Sequence, residues 1–386
     1  AEWSEAAMSI DDAVNFEDLR QLAKQRLPKI CFDFIEGGAD DEIGLDRNQQ
    51  AFRDLPLVPR YLVDVDKRDL TKELFGRKYD LPFGISPTGL AGMFRRGGDM
   101  MLAQAARDAN VPFVMSGSSN ASIEDLGKLA PEHGWYQLYA ARDKSVSEDM
   151  IRRADAAGLD GLVLTVDVPV HSNRERNTRN RFGRPLRLSL ATKLDALNYP
   201  GWLMDYLKGG LPMFPNWLPY AGEGADADKV ADFMSSMTTP PLTWDDVARF
   251  REIWPRKFIL KGIMHPDDAI KAAELGCDGI VVSNHGARQL DRAPGSIEVL
   301  PAISAAVGDR MTIMLDSGIQ RGSDIATALC LGADFVFVGR ATLYGVTAGG
   351  MAGATKAIEI LRRELDLVMG QIGVSDLASL NEDFIF

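Results

Sequence analysis

Residues 266–288 read P-D-D-A-I-K-A-A-E-L-G-C-D-G-I-V-V-S-N-H-G-A-R. Residues 266–275 are helix-like, with Pro266 in the first turn, where its missing N–H costs nothing. Gly276 fits a helix C-cap, because glycine takes positive φ without a Cβ penalty. Gly279-Ile280-Val281-Val282 is a short apolar run that predicts a buried strand. That strand ends in Ser283, Asn284, His285 and Arg288. Histidine moves a proton near neutral pH, and arginine clamps a carboxylate with two parallel hydrogen bonds. A base and a fixed cation three residues apart at a strand end suit one anionic substrate. Taken alone, the segment fits a structural histidine and a surface arginine equally well.

The same helix–glycine–strand unit recurs. Apolar runs lie at 81–86, 111–116, 135–139, 161–167, 257–262, 279–284, 311–316 and 335–339. They are rich in Val, Ile, Leu and Phe without strict alternation, as parallel strands buried on both faces are. Helical segments lie at 98–109, 145–157, 266–275 and 323–331, and Gly158, Gly276 and Gly332 precede the next strand. Eight strand–helix units close most naturally as a (β/α)8 TIM barrel. An open doubly wound sheet is the alternative, but no G-x-G-x-x-G follows the first strand. The expectation is an α/β chain with one domain over residues 1–386, an N-terminal helical segment and a long insert after strand 4.

Composition narrows the classes. The net charge of −12 argues against nucleic-acid binding, which needs a basic face. Cys31, Cys277 and Cys330 form no metal-spaced pair and read as reduced, buried thiols. The four histidines, at 133, 171, 265 and 285, show no zinc-type spacing, so no metal site is expected. His171 reads as a solvent-facing loop residue. No apolar run is long enough to span a bilayer. Residues 1–10 read as a loose tail without the regions of a signal peptide. The expected location is cytoplasmic, with attachment to the inner face of the membrane as a further reading.

That reading comes from the insert, residues 184–242, which is far longer than ordinary barrel loops. It holds Trp202, Leu203, Met204, Tyr206, Leu207, Leu211, Met213, Phe214, Trp217, Leu218 and Tyr220. Trp202, Leu203, Tyr206 and Leu207 are predicted to share one helical face. The segment reads as an active-site lid, an oligomer contact or a membrane-associating patch, against a loop packed on its own barrel. Its acidic G-E-G-A-D-A-D tract does not favour anionic lipid.

Active sites of such barrels lie at the C-terminal strand ends, and the polar residues gather there. Strand one runs into Pro87-Thr88-Gly89. Strand two ends near Ser116, strand three near Gln137 and Tyr139, and strand four at Thr165 and Asp167. Strand five ends at Lys261, strand six at Ser283 through Arg288, strand seven at Asp316-Ser317-Gly318 and strand eight at Gly339-Arg340. Glycine-rich turns after strands seven and eight are where many barrels hold a phosphate, with Arg340 and Arg321 nearby to supply charge.

These ordered motifs resemble the FMN-dependent α-hydroxy-acid oxidase and dehydrogenase family from about Phe16 to about Leu380. The resemblance rests on L-P-K-x-x-x-D-F-I-E-G-G-A at 27–39, P-T-G at 87–89, Q-L-Y at 137–139, L-T-V-D at 164–167 and R-E-R at 174–176. It continues through L-K-G at 260–262, S-N-H-G-x-R-Q-L-D at 283–291, D-S-G at 316–318 and G-R at 339–340. It implies FMN across the barrel mouth. Pro87, Thr88, Gly89, Ser116, Gln137 and Thr165 would hold the ring, and Lys261 would favour its reduced, anionic form. Ser283 would contact the ribityl chain or the ring edge. Asp316, Gly318, Gly339 and Arg340, with Gln320 and Arg321 beside them, would hold the ribityl and phosphate. It further implies His285 as the base, oriented by Asp167. Arg174 and Arg288 would bind the substrate carboxylate, and Tyr139 the substrate hydroxyl. The implied reaction takes two electrons from an (S)-2-hydroxy acid and gives a 2-keto acid. Whether His285 takes the hydroxyl proton as hydride leaves Cα, or takes the Cα proton, is open at this level.

Five positions bear on the subgroup. Phe34 stands where many members carry a Tyr that helps bind the carboxylate, so weaker or altered affinity is implied. Gln320 replaces an Arg at the FMN phosphate, which implies looser FMN. Ala287 replaces a Gly and limits backbone freedom. Ser118 replaces a large Trp and leaves room for a larger side chain such as phenyl. Gly89 stands where oxidases usually have Ala, which points to a separate electron acceptor. The 200–212 stretch resembles the corresponding segment of mandelate and lactate dehydrogenases, where it is associated with membrane attachment and a quinone acceptor. Mandelate-like aryl acids are therefore expected ahead of L-lactate. An oxidase that makes hydrogen peroxide from oxygen is the alternative. An FMN-barrel isomerase is disfavoured by the His285–Arg288 pair, and a flavoprotein without turnover by the full set of polar residues. Relatives are often tetramers, which implies a homo-oligomer.

Overall fold

The computed structural model describes residues 8–182, 189–238 and 240–386. Residues 1–7 of the expected tail, and residues 184–188 and 239 of the expected insert, lie outside them. Three helices lead in: α1 (Phe16–Arg26), α2 (Lys29–Glu36) and α3 (Ile43–Arg53). A short hairpin follows, β1 (Lys72–Leu74) with β2 (Arg77–Tyr79). Then come β3 (Phe83–Ile85), β4 (Phe113–Met115), β5 (Gly134–Leu138) and β6 (Gly161–Thr165). The last four strands are β7 (Lys257–Ile263), β8 (Gly279–Val282), β9 (Thr312–Leu315) and β10 (Phe335–Val338).

The strands β3 to β10 pair in parallel in chain order, and β10 returns to β3 to close an eight-stranded barrel. This is the (β/α)8 barrel that the eight apolar runs predict. Parallel strands covered by helices are buried on both faces, so the runs are mostly apolar without strict alternation. The predicted helices stand as Gly98–Asp108, Lys144–Ala156, Pro266–Glu274 and Gly322–Cys330. Gly158, Gly276 and Gly332 all take positive φ after them, as helix-ending glycines do. The three cysteines are free and buried.

The barrel interior is filled by side chains. Val114, Trp135, Val163, Ile259, Val281, Met314, Phe335 and Phe337 form one cluster, closed at the N-terminal end by Leu74 and Tyr79 of the hairpin. Trp135 lies 5.6 Å from Phe337 and 5.8 Å from Phe75 at the hairpin turn. The hairpin escapes prediction because its three-residue strands bury only one apolar side chain each.

The insert is fastened to the barrel by polar anchors. Trp202 Nε1 donates to the Met93 carbonyl at 2.8 Å, and Trp217 Nε1 to that of Gly117 at 2.9 Å. Arg26 of α1 pairs with Asp205 at 2.6 Å, and the Lys29 amide donates to Asp195 at 2.8 Å. Within the helix Pro200–Gly209, Trp202 is buried and stacks on Tyr206 at 5.5 Å. Leu207 does not share their face: it is exposed. At about 100° per residue it lies roughly 140° from Trp202, beyond the edge of the buried stripe.

Candidate active site

Strand ends bring the polar side chains together. Ser86, Ser116, Gln137, Thr165, Lys261, Ser283 and Asp316 are all buried at the C-terminal mouth of the barrel. Gln137 Nε2 donates to Thr165 Oγ1 at 2.7 Å, and its Oε1 accepts from the Gly117 amide at 3.2 Å. Lys261 Nζ reaches Ser283 Oγ at 2.9 Å and Asp316 Oδ2 at 3.2 Å, and Ser86 Oγ donates to the same carboxylate oxygen at 2.9 Å. Burial alone would push the Lys261 ammonium down, but Asp316 and Asp167 outweigh it and hold its pKa above the ordinary value.

His285 Nδ1 lies 2.9 Å from Asp167 Oδ1, and its Nε2 lies 3.4 Å from the Tyr139 hydroxyl. Gly262 makes this pair feasible. It is the extra residue of a bulge in β7, at φ +105, and a Cβ there would stand 2.5 Å from Asp167 Cβ. His285, Gly286 and Ala287 take φ of 61, 64 and 61, a left-handed run in which Ala287 sits where glycine is at ease. Asn284, just before it, exchanges two side-chain hydrogen bonds with Asn48 of α3, at 2.6 and 3.0 Å. Burial pushes the His285 imidazole below its usual pKa; Asp167 opposes this, while Lys261 and Arg174 reinforce it. The balance favours the neutral ring. Burial works against the Asp167 carboxylate, but His285 and Lys261 outweigh it and keep its pKa low.

Three guanidiniums surround this pair, and none has a carboxylate partner among the described residues. Arg174 donates to Ser172 Oγ, the Arg288 carbonyl and Gln289 Oε1, at 3.0, 3.2 and 3.1 Å. Arg288 Nη1 donates to the carbonyls of Phe34 and Gly37 at 2.7 and 2.8 Å, and its Cζ lies 4.9 Å from the centre of the Phe34 ring. Arg340 donates to the carbonyls of Ile35, Gly286 and Gly37 at 3.0 to 3.3 Å. The C-terminal end of α2 thus holds two cations, as the partial negative charge of a helix C-terminus favours. Burial first, then Arg174 and Arg340, press the Arg288 pKa well down. Arginine keeps its proton regardless, so the crowding is a demand for anions.

Other predicted residues fall at the rim. Gly89 neighbours Ser118 and Ser116: a Cβ on it would lie 3.1 Å from Ser118 Cβ and 3.4 Å from Ser116 Oγ. Ser118 Oγ meets Met234 Sδ of the insert at 3.8 Å, so the space beside Ser118 is bounded by the insert. Gly339 faces Thr88, whose Cγ2 would be 3.7 Å from a Cβ there. Gly318, Gln320, Arg321 and Arg340 line a cavity of about 760 Å³ shared with Arg20 and Asn48. Gly318 takes φ +93, and a Cβ on it would meet the Asn48 carbonyl at 2.6 Å. Arg321 is spent on Glu364, at 2.8 Å, and is half exposed, so it does not supply the free charge expected of it. His171 is exposed. Sequence reasoning assigned no role to Gln289, Asn48 or Met234. Gln289 lies inside the 283–291 motif; the other two act from remote segments and carry no local signal.

The site suits FMN on its own evidence. Among the described residues a buried Asp167 Oδ2 has no hydrogen-bond partner and three guanidiniums have no carboxylate partner, and a cavity of mixed polar and apolar lining opens beside Gly318 and Arg340. A closed parallel barrel with a His–Asp pair among arginines at its mouth is compatible with a flavin-type oxidoreductase. Residues 23–386 match the family described as FMN-dependent dehydrogenase. The chain is 39% identical to (S)-mandelate dehydrogenase of Pseudomonas putida over 96% of this chain and 93% of that protein. It is 40% identical to a putative L-lactate dehydrogenase of Mycobacterium tuberculosis over 96% of this chain and 88% of that protein. A crystal structure described as the monotopic membrane protein (S)-mandelate dehydrogenase superposes with a TM-score of 0.94 at 39% identity, covering 97% of this chain and 99% of that one. The chain belongs to the FMN-dependent dehydrogenase family: it is an FMN-dependent enzyme of the 2-hydroxy-acid dehydrogenase and oxidase class.

Proposed function

We propose that this protein oxidises an (S)-2-hydroxy acid to the 2-keto acid, preferring mandelate-like aryl acids to L-lactate, and hands the electrons to a separate acceptor such as a quinone. The observation that carries this reading is His285, paired with Asp167 at 2.9 Å, among three guanidiniums with no carboxylate partner among the described residues. Gly318, Gly339, Arg340 and Lys261, with Gln137, Thr165, Ser116 and Pro87–Gly89, are the residues that would hold FMN. Bound FMN supplies the two-electron acceptor.

The chain's own residues do the rest. Arg174 and Arg288 bind the substrate carboxylate; each guanidinium presents a planar fork matched to two oxygens. Phe34 supports Arg288 through its ring face, a cation–π contact in place of a hydroxyl. Neutral His285 keeps its Nδ1–H on Asp167, which leaves the Nε2 lone pair free to accept a substrate proton. Asp167 then stabilises the imidazolium. Tyr139, 3.4 Å from Nε2, hydrogen-bonds the substrate hydroxyl oxygen. Met234 beside Ser118 offers a polarisable wall to an aromatic side chain.

The insert supports attachment to a membrane surface. No helix of the described residues is long and apolar enough to cross a membrane. Leu190, Leu194, Leu197, Met204 and Leu207 nevertheless stand exposed on its two adjacent helices, Leu190–Ala196 and Pro200–Gly209, and in the turn between them. Such a patch suits shallow burial in the headgroup layer, where a quinone is at hand. The defining test is His285→Ala in FMN-loaded protein. The variant is expected to retain its yellow colour and to lose anaerobic bleaching by substrate, and undiminished bleaching overturns the reading. Comparing oxygen uptake with quinone reduction separates the dehydrogenase from the peroxide-producing alternative.

A further inference from the structure

Gln289 lies next to Arg288 but is given no part in the scheme above. Its side chain spans two elements of the site. Oε1 accepts from Arg174 Nη2 at 3.1 Å, and Nε2 donates to the Asp167 carbonyl at 3.1 Å and to that of Val170 at 3.4 Å. The amide orientation is fixed by chemistry. Arginine only donates, so the oxygen must face it, and a carbonyl only accepts, so the nitrogen must face Asp167. Asp167 is reached from β6 and His285 from β8, with β7 between them. The Gln289 amide is therefore a second tie between those loops, beside the His285–Asp167 bond itself. Arg174 leans on the same segment, because its Nε donates to the Arg288 carbonyl at 3.2 Å.

We infer that Gln289 is a positioning residue: one neutral amide holds the carboxylate-binding Arg174 and the base-orienting Asp167 at a fixed separation. This rests on the proposed roles of Arg174 and Asp167. Glutamine suits the task because it offers an acceptor and a donor without charge. Glutamate has the same shape, but it would neutralise Arg174 and turn an oxygen against the Asp167 carbonyl. Methionine fills the space and makes neither bond.

The test uses FMN-loaded protein carrying Gln289→Glu, Gln289→Met or Arg174→Met. The probes are phenylacetate and propionate, which are mandelate and lactate without the hydroxyl and so cannot be oxidised. Binding is read from the perturbation of the flavin spectrum, using whichever probe the wild type binds more tightly. Gln289→Met is expected to weaken binding about tenfold, in keeping with the loss of a hydrogen bond that orients a charged group. Gln289→Glu is expected to weaken it at least as much, because it also cancels the charge. It is further expected to move the acid limb of kcat/KM to higher pH, since a new anion favours the imidazolium. FMN content and melting temperature should stay near wild type, a separation that a purely structural role does not produce. Wild-type probe affinity and an unmoved acid limb in both Gln289 variants, with binding lost in Arg174→Met, overturn the positioning role alone. Undiminished binding in Arg174→Met overturns the carboxylate reading and this inference with it.

Discussion

Asp167→Asn changes one charge at nearly constant volume. The carboxylate accepts from His285 at 2.9 Å, with the two side chains only 12% and 15% exposed. A hydrogen bond involving a charged group contributes about 1.5–3 kcal/mol, against roughly 1 kcal/mol for a neutral one. The difference, about 0.5–2 kcal/mol, grows as the imidazolium forms, so it falls largely on the transition state. That corresponds to a loss of roughly 2- to 30-fold in the rate of flavin reduction. The pH dependence has a definite sign. In the proposed mechanism His285 must be unprotonated to act, and burial, which disfavours the charge, holds its pKa below the ordinary value. Asp167 pushes it up, so the Asn variant should show its acid limb at lower pH than wild type, on a lowered plateau. Anaerobic stopped-flow absorbance between about pH 5 and 8, with FMN occupancy checked for each protein, reads both quantities. An unchanged plateau with an unmoved limb would refute the assignment of His285 as a base supported by Asp167.

Three further outcomes follow from the structure. Gly262→Ala places a methyl 2.5 Å from Asp167 Cβ at φ +105; strain and overpacking together should cost about 2–4 kcal/mol, seen as a lowered Tm and a disturbed acid limb. Asp99 is buried and its carboxyl is pushed up to about 6 by desolvation, against hydrogen bonds from Ser119 and Asn120. Because the folded pKa exceeds the unfolded one, this stability is fully present below about pH 4 and is lost as pH rises through about 6, by roughly 3 kcal/mol in all; denaturant titration of Asp99→Asn should lack that decline. Replacing Leu190, Leu194, Leu197 and Leu207 with Ser should shift the protein from pelleted lipid vesicles to the supernatant with flavin reduction intact, and equal pelleting would remove the membrane role from that face.

Much of this was legible because barrel architecture writes itself locally. Each strand is a short, mostly apolar run, the helices before β6, β8 and β10 end in a glycine, and polar side chains gather at the strand ends, where Thr165, Lys261, Ser283 and Asp316 were all readable. The hairpin was not readable, since strands of three residues carry too little pattern. Leu207 lies only about 40° from Leu203, so sequence spacing alone does not show that the buried stripe ends between them. The partners of each cation lay beyond sequence altogether. Arg321 stands in a glycine-rich turn yet is claimed by Glu364, 43 residues away. Arg288 and Arg340 meet at carbonyls of α2 more than 250 residues upstream. Met234 reaches Ser118 across 116 residues, and only the folded insert reveals that it bounds the pocket.

The most direct test of the account is anaerobic mixing of the FMN-loaded protein with (S)-mandelate and, separately, with L-lactate, while flavin absorbance is followed. Rapid bleaching by mandelate, with slower bleaching by lactate and none in His285→Ala, is the predicted result. Bleaching by lactate alone would contradict the aryl preference drawn from Ser118 and Met234. Failure of both acids, and of other (S)-2-hydroxy acids, to bleach the wild type would contradict the central claim.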